Sequence, residues 1–166
     1  MSFVNTVDLI GDEALSASII GRSITEIADN TVTAVGEYAF NNCRALKTAK
    51  FAAAMSLGEL AFSWCIAMKS ADFYMVSSIQ GRNALQNCSE LIALILRGAA
   101  VCTVQYVNTF SGTPIASGKG YIYVPAALVN TYKAATNWSA YAAQFRALED
   151  YTVDGTITGE LDESKI

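Results

Sequence analysis

The apolar positions of this chain recur in three series that keep one phase. Leu46, Ala49 and Phe51 are followed by Met68, Ala71 and Phe73, then by Leu91, Leu94 and Leu96; Ile24 and Ile27 begin this L-x-x-L-x-L pattern one period earlier. A second pattern, G-x-x-A-[F/L]-x-x-C, runs over Gly36–Cys43, Gly58–Cys65 and Gly81–Cys88, with its glycines 22 and 23 residues apart. A third pair keeps the same phase: Val32/Val35, Ala54/Leu57, Val76/Ile79 and, after an insertion near Arg97–Ala99, Val101/Val104. One such unit cannot bury its apolar positions alone, whereas stacked units bury them in a continuous column. Side chains alternate faces along a strand, so Ala49/Phe51, Ala71/Phe73 and Leu94/Leu96 are predicted to point inward. Thr48/Lys50, Ser70/Asp72 and Ala93/Ile95 are then predicted to line the outer face of a parallel sheet. The repeated glycine suits positive φ or a close approach between coils, and Ala-Phe reads as a short turn or helix plugging the far side of each coil.

The ends of a solenoid need caps. Residues 5–22 read as a helical cap, with Asp12 as N-cap, Glu13 in the first turn, Leu15 and Ile19 on one face and Gly21 closing the helix. Beyond the repeats, Gly112, Pro114, Gly118 and Gly120 mark turns, and Tyr121–Val124 reads as a strand stopped by Pro125. Helices are predicted over 126–135, with Leu128 and Tyr132 on one face, and over 138–147, with Tyr141 and Phe145 on one face and Asn137 as a cap before Trp138. The predicted organisation is therefore a cap over 1–23, repeats of 22–23 residues over 24–110, a strand and helical cap over 111–148, and a tail over 149–166. That tail holds six acids and one base, Lys165, and reads as a mobile acidic segment or a short added strand.

The three G-x-x-A-[F/L]-x-x-C blocks in register resemble the BspA-like leucine-rich repeat family over about residues 24–110. The third block departs from the others, with Leu85 in place of Phe and Arg82 after the glycine. The resemblance implies an α/β repeat fold: a short right-handed solenoid of three to four coils with a parallel sheet and helical caps at both ends. It also implies a non-enzymatic protein, surface- or particle-associated, that binds other macromolecules. Val124–Lys133 with Asn137-Trp138-Ser139 is similar to a terminal segment that follows such repeats in gut bacteria and phage tail proteins, which adds a structural or host-attachment role in a prophage virion as an alternative.

Composition narrows the chemistry. The chain of 166 residues has no histidine, so no Ser-His-Asp triad, Cys-His pair or His-ligated metal exists in it. A net charge of −4 argues against a general nucleic-acid binder. The first thirteen residues lack the positive start and apolar run of a secretory signal, and the apolar stretch Leu91–Leu96 falls well short of the roughly 20 residues of a membrane helix. A cytoplasmic or virion-associated location without membrane insertion is expected over classical secretion. No cofactor is expected.

Each candidate site has a plain structural counterpart. Cys43, Cys65 and Cys88 occupy equivalent positions and Cys102 does not; a thiol-dependent enzyme or a metal site would use them. The absence of a C-x(2–4)-C pair and the parallel direction of laddered side chains favour a buried row of small apolar thiols. Glu37 and Glu59, one coil apart, could share a proton or bind a cation, with Arg82 at the third position to neutralise them; a solvated edge is the favoured reading. Tyr121, Tyr123, Tyr132, Trp138 and Tyr141 would suit a carbohydrate or nucleobase platform, yet read as cap core. The candidate partner-binding face is the outer sheet surface, with Glu26, Lys50, Asp72, Tyr74, Ile95 and Arg97, for a protein or cell-surface macromolecule.

Overall fold

The computed structural model describes residues 2–4 and 23–150. Its strands in chain order are β1 (Ser2–Val4), β2 (Glu26–Asp29), β3 (Ala34–Val35), β4 (Thr48–Phe51), β5 (Ser56–Leu57), β6 (Ser70–Phe73), β7 (Ser78–Ile79), β8 (Ala93–Leu96), β9 (Thr103–Val104), β10 (Tyr121–Val124) and β11 (Phe145–Ala147). From β2 to β10 they alternate between two parallel sheets, while β1 and β11 extend the first of these at its two edges. One has seven strands in the order β1-β2-β4-β6-β8-β10-β11; the other has four in the order β3-β5-β7-β9. Each coil from β2 to β9 thus contributes one strand to each wall, and the chain advances by one strand spacing per turn. The register follows the repeat: Thr48 faces Ser70 and Ser70 faces Ala93, while Phe51 faces Phe73 and Phe73 faces Leu96.

The apolar series fill the space between the walls. Ala49, Phe51, Ala71, Phe73, Leu94 and Leu96 are all buried, as are Phe40, Phe62 and Leu85 from the glycine blocks. The Phe40 and Phe62 rings stack at 5.1 Å between centroids, and Phe51 and Phe73 at 6.3 Å. Aromatic residues 22 positions apart therefore touch ring to ring, and this contact turns a sequence period into stability.

The glycine block forms a third side of each coil. Tyr38, Phe40 and Asn42 N–H groups donate to the Glu59, Ala61 and Ser63 carbonyls of the next coil at 2.8, 2.8 and 2.7 Å, while Asn41 donates to Tyr38 within its own turn at 2.9 Å. The following coil repeats this with Leu60, Phe62 and Trp64 donating to Arg82, Ala84 and Gln86. Left-handed residues make the pattern: φ is positive at the second and sixth positions after each glycine, at Tyr38 and Asn42, Leu60 and Trp64, Asn83 and Asn87. The glycines themselves serve the other purpose foreseen for them, close approach. A Cβ on Gly58 would lie 2.8 Å from the Glu37 nitrogen.

Asn tolerates a left-handed backbone and Trp does not. Asn42 and Asn87 flank the half-exposed Trp64 at equivalent positions. Trp64→Asn is therefore expected to raise stability by about 0.5–1 kcal/mol. Urea denaturation of the variant checks this, and a loss of stability would mean that the indole contributes more by packing than its backbone costs.

The stack extends past residues 24–110 in both directions. At the start, β1 pairs with β2; the helix expected over 5–22 lies outside the described residues. At the other end, Tyr106–Thr113 is a degenerate copy of the glycine block. Leu85 and Asn87 N–H groups donate to the Thr109 and Ser111 carbonyls, Phe110 is buried beside the cap aromatics, and Gly112, with φ of 74°, takes the left-handed position that Asn87 holds one coil earlier. Then β10 pairs with β8 and β11 with β10.

The C-terminal cap is only partly helical. The expected helix over 126–135 is a 3-10 turn at Ala126–Leu128 followed by the helix α1 (Val129–Ala134). The expected helix over 138–147 is absent: a 3-10 segment spans Ser139–Gln144, and the chain then extends into β11. Phe145 faces Ile122 in the sheet and points into the core, so its spacing from Tyr141 was not a helical face. Asn137 does not act as an N-cap. It holds a φ of 64° and its Nδ2 donates to the carbonyls of Val104 and Gln105 at 2.9 and 3.1 Å.

Candidate functional site

The outer face of the seven-stranded sheet carries two cross-strand rows that the register defines. One runs Glu26, Thr48, Ser70, Ala93 and Tyr121; the other runs Ala28, Lys50, Asp72, Ile95, Tyr123 and Arg146. Tyr74 and Arg97 follow directly after β6 and β8. The six residues singled out from the sequence therefore share one side of one sheet, but they are not equally available. Glu26 and Ala28 are exposed, Lys50 and Tyr74 are half-buried, and the Arg97 side chain keeps only 9% of its surface open, whereas Asp72 and Ile95 are fully buried. The last two were expected on the partner-binding face and, although they lie on that side of the sheet, are covered and offer a partner no surface.

The cause lies in what stands over them. The Arg97 guanidinium grips Asp72 through two parallel bonds, Nε to Oδ1 and Nη2 to Oδ2, each 2.8 Å. Such a bidentate pair holds a carboxylate that has lost its water. Arg97 also lies 4.4 Å over the Tyr74 ring, and the Lys50 ammonium approaches the same ring at 5.5 Å. Tyr74 is thus held between two cations. Tyr123 and Leu148 pack against Ala93 and Ile95, and Arg146 stands 4.5 Å over Tyr121. The result is a graded surface, low and open over β2 and β4 and walled by Arg97, Tyr121, Tyr123 and Leu148 over β8 to β11.

The cysteines form the expected ladder. All four are buried thiols. The Cys65 Sγ–H donates to the Phe40 carbonyl and the Cys88 Sγ–H to the Phe62 carbonyl, each at 3.1 Å. Burial, reinforced by the neighbouring Cys43 and Cys88 thiols, pushes the Cys65 thiol well above its usual range, the reverse of what a nucleophile needs. Burial pushes Cys102 up to about 12, with a backbone hydrogen bond opposing it. Burial also raises Tyr132 to about 12, partly offset by its bond to the Cys102 backbone. In the unfolded chain these groups ionise near 9 and 10. Their stabilising share is therefore intact below pH 9 and is lost as pH rises toward 12, at up to about 1.4 kcal/mol per unit per group. Native thiols are expected to react slowly with a disulfide reagent at neutral pH, and urea melts are expected to show stability falling between pH 9 and 12. Rapid labelling of one cysteine in the folded chain would contradict both.

The aromatic cap faces inward, as the cap-core reading anticipated. Tyr132 and Phe145 stack at 5.2 Å, and Trp138 meets Phe110 at 5.5 Å. Their polar tips close the last coil: Cys102 N–H donates to the Tyr132 hydroxyl at 2.8 Å, Trp138 Nε1–H donates to the Cys102 carbonyl at 2.6 Å, and the Tyr141 hydroxyl donates to the Val107 carbonyl. Side chains thus satisfy backbone groups that a further coil would otherwise meet. Tyr121 and Tyr123 belong instead to the outer sheet face.

Arg82, exposed, turns to the Tyr106 ring at 5.2 Å rather than lying between the glutamates. Among the described residues no group of three or more Cys, Asp or Glu side chains could hold a metal ion, and no helix is long and apolar enough to cross a membrane. Sequence reasoning missed an open groove of about 750 Å³ between the third glycine-block coil and the 112–119 loop, lined by Lys69, Glu90, Ile92, Pro114 and Lys119 among others. Exposed Ile92, set inside an otherwise buried apolar run, was its available signal.

Comparison with protein families matches residues 1–120 to the BspA type Leucine rich repeat region, in six copies. Among solved structures, the chain is similar to the crystal structure of a T. pallidum Leucine Rich Repeat protein, with a TM-score of 0.57 and 17% identity, over 75% of this chain and 57% of that one. This chain thus spans little more than half the length of that protein, and the likeness concerns the fold alone. No curated protein matches. The resemblance of residues 124–139 to phage tail segments finds no support in these comparisons.

Proposed function

Because this chain belongs to the BspA-type leucine-rich repeat family, its matching residues covering well over half of its length, we propose that it is a non-enzymatic interaction module whose outer sheet face contacts a protein or cell-surface partner. Glu26, Ala28, Lys50, Tyr74 and Arg97 supply the contact. Asp72 and Ile95 lie beneath them, Asp72 fixing Arg97 and Ile95 seating Tyr123. The observation that carries the reading is the Lys50–Tyr74–Arg97 cluster, an aromatic ring held between two cations at the rim of a flat parallel sheet. Tyr and Arg anchors of this kind dominate contact energies at interfaces, and a rigid sheet loses little entropy on binding. The thiol-enzyme alternative is disfavoured by the burial of all four thiols and by the raised pKa of Cys65 and Cys102.

A photo-crosslinking residue at exposed Ala28, compared with one at exposed Lys133 on the cap, tests this with extracts of cells or cell surfaces. The expected result is a discrete adduct from position 28 that unlabelled protein competes away and that Tyr74→Ala weakens. Identical adducts from both positions, or adducts that resist competition, would contradict it.

A further inference from the structure

We propose that the groove between the third glycine-block coil and the 112–119 loop captures the carboxy-terminal end of a partner chain whose last residue is apolar. Lys69 and Lys119 hold the terminal carboxylate, and Ile92 with Pro114 receives the last side chain.

Stacking of the coils builds the groove. Ser70, Ala93 and Tyr121 are cross-strand neighbours on β6, β8 and β10, so the residues just before them, Lys69, Ile92 and Gly120, form a row one step outside the sheet. Two hydrogen bonds fix that row: Ile92 N–H donates to the Lys69 carbonyl at 3.1 Å, and Tyr121 N–H donates to the Ile92 carbonyl at 2.8 Å. Ile92 thus lies between the strand that Lys69 enters and the strand that Lys119 and Gly120 enter. The 112–119 loop stands as the far wall because its end returns tightly on its start. Lys119 and Gly120 N–H groups both donate to the Pro114 carbonyl, at 2.7 and 3.0 Å, and a Cβ on Gly120 would lie 2.9 Å from the Ile115 nitrogen. The groove between encloses about 750 Å³, within the usual size of a ligand site. Its floor is apolar and open, since Ile92 keeps 52% of its surface exposed.

The donors around this floor are uncommitted. Lys69 and Lys119 are exposed, and among the described residues neither has an ion-pair or hydrogen-bond partner, Glu90 included. Two lysines against Glu90 leave the lining at +1 in a chain of net charge −4. The turn closed by Leu91 N–H on the Cys88 carbonyl leaves the Ser89 and Glu90 N–H groups unused, and the Gly112 N–H has no acceptor in the fold either. Ser89, Glu90 and Gly112 all line the groove. Cations and free N–H groups beside an apolar floor match a carboxylate attached to an apolar body.

A chain terminus fits this pairing better than an internal acid. The terminal carboxylate and the last side chain branch from one Cα, so both reach one groove. In an extended strand an acid and its apolar neighbour point to opposite faces. Glu90 opposes any second carboxylate, so the occupant carries its charge at the terminus alone. This groove is separate from the outer sheet face and does not depend on a partner there.

The test uses the full chain with isoleucine methyl groups labelled for NMR, the Ile92 signal being assigned by its loss in Ile92→Val. Three probes are titrated: a Gly-Ser-Gly-Ser-Gly-Leu peptide with a free carboxylate, the same peptide as its amide, and N-acetylleucine. The free acid is expected to shift the Ile92 methyl saturably, and the amide to bind about tenfold more weakly, because charge-assisted bonds are lost. Lys69→Gln with Lys119→Gln is expected to erase the difference between acid and amide, while Glu90→Gln tightens the acid about twofold by removing a like charge. Both changes are at exposed side chains, and the remaining isoleucine signals report that the fold is kept. Tyr74→Ala is expected to leave the titration unchanged, which separates this result from the crosslinking at Ala28. Equal affinity for acid and amide would overturn the proposal, as would a titration unmoved by the lysine substitutions. No saturable Ile92 shift up to about 10 mM peptide, a binding free energy weaker than about 3 kcal/mol, would overturn it too. N-acetylleucine binding as tightly as the peptide would also overturn it, assigning the groove to a small organic acid.

Discussion

Phe62→Ala is expected to lower stability by about 3–5 kcal/mol. Phe62 is completely buried, and its ring touches three others: Phe40 at 5.1 Å, Phe51 at 6.0 Å and Phe73 at 6.1 Å. Two of these rings come from the coil before and one from its own coil's β6. Truncation therefore opens a void that spans two coils and cannot close, because the backbone spacing on both sides is fixed by hydrogen bonds. Equilibrium urea unfolding measures the loss. A change below about 1 kcal/mol would mean that the site collapses as no packed core does.

Gly81→Ala is expected to cost about 3 kcal/mol or more, at the upper end for overpacking. An added Cβ would lie 2.0 Å from the Glu59 nitrogen, 2.1 Å from its Cα and 2.2 Å from the Gly58 carbonyl carbon. All three are backbone atoms, so no side-chain rotation relieves the collision. The coils would have to separate, and separation strains the Leu60–Arg82 and Phe62–Ala84 hydrogen bonds. Gly58→Ala is expected to cost less, since its nearest backbone atoms lie at 2.8 Å. Thermal melts of the two variants should rank in that order; Gly81→Ala melting like the parent would show that the coils are not in contact there.

The residues that carried the period were legible because each apolar position has one physical role in every coil. Phe40, Phe62 and Leu85 could be aligned by eye, and they do share a core. Tyr106–Thr113 escaped because the insertion near Arg97–Ala99 stretches the spacing to 25 residues, from Leu85 to Phe110, and Thr113 replaces the cysteine. Tyr141 and Phe145 were misread as a helical face because a four-residue spacing looks the same whether a helix or a turn into a strand produces it. The left-handed positions were invisible: Leu60 and Trp64 are poor formers of that conformation, and only the stacking of coils imposes it. The outer face was found as a face, but its roof was not. A signal existed, in the 25-residue spacing of Asp72 and Arg97 and the apolarity of Ile95, both unlike a solvated surface.

The most direct measure of the stacked-coil account is a double-mutant cycle between Phe40 and Phe62, each changed to Leu, read by urea unfolding. Residues 22 apart in sequence have no reason to interact unless the coils lie on one another. A coupling of about 0.5–1.5 kcal/mol is predicted from their ring contact. Additive losses, with coupling indistinguishable from zero, would contradict it.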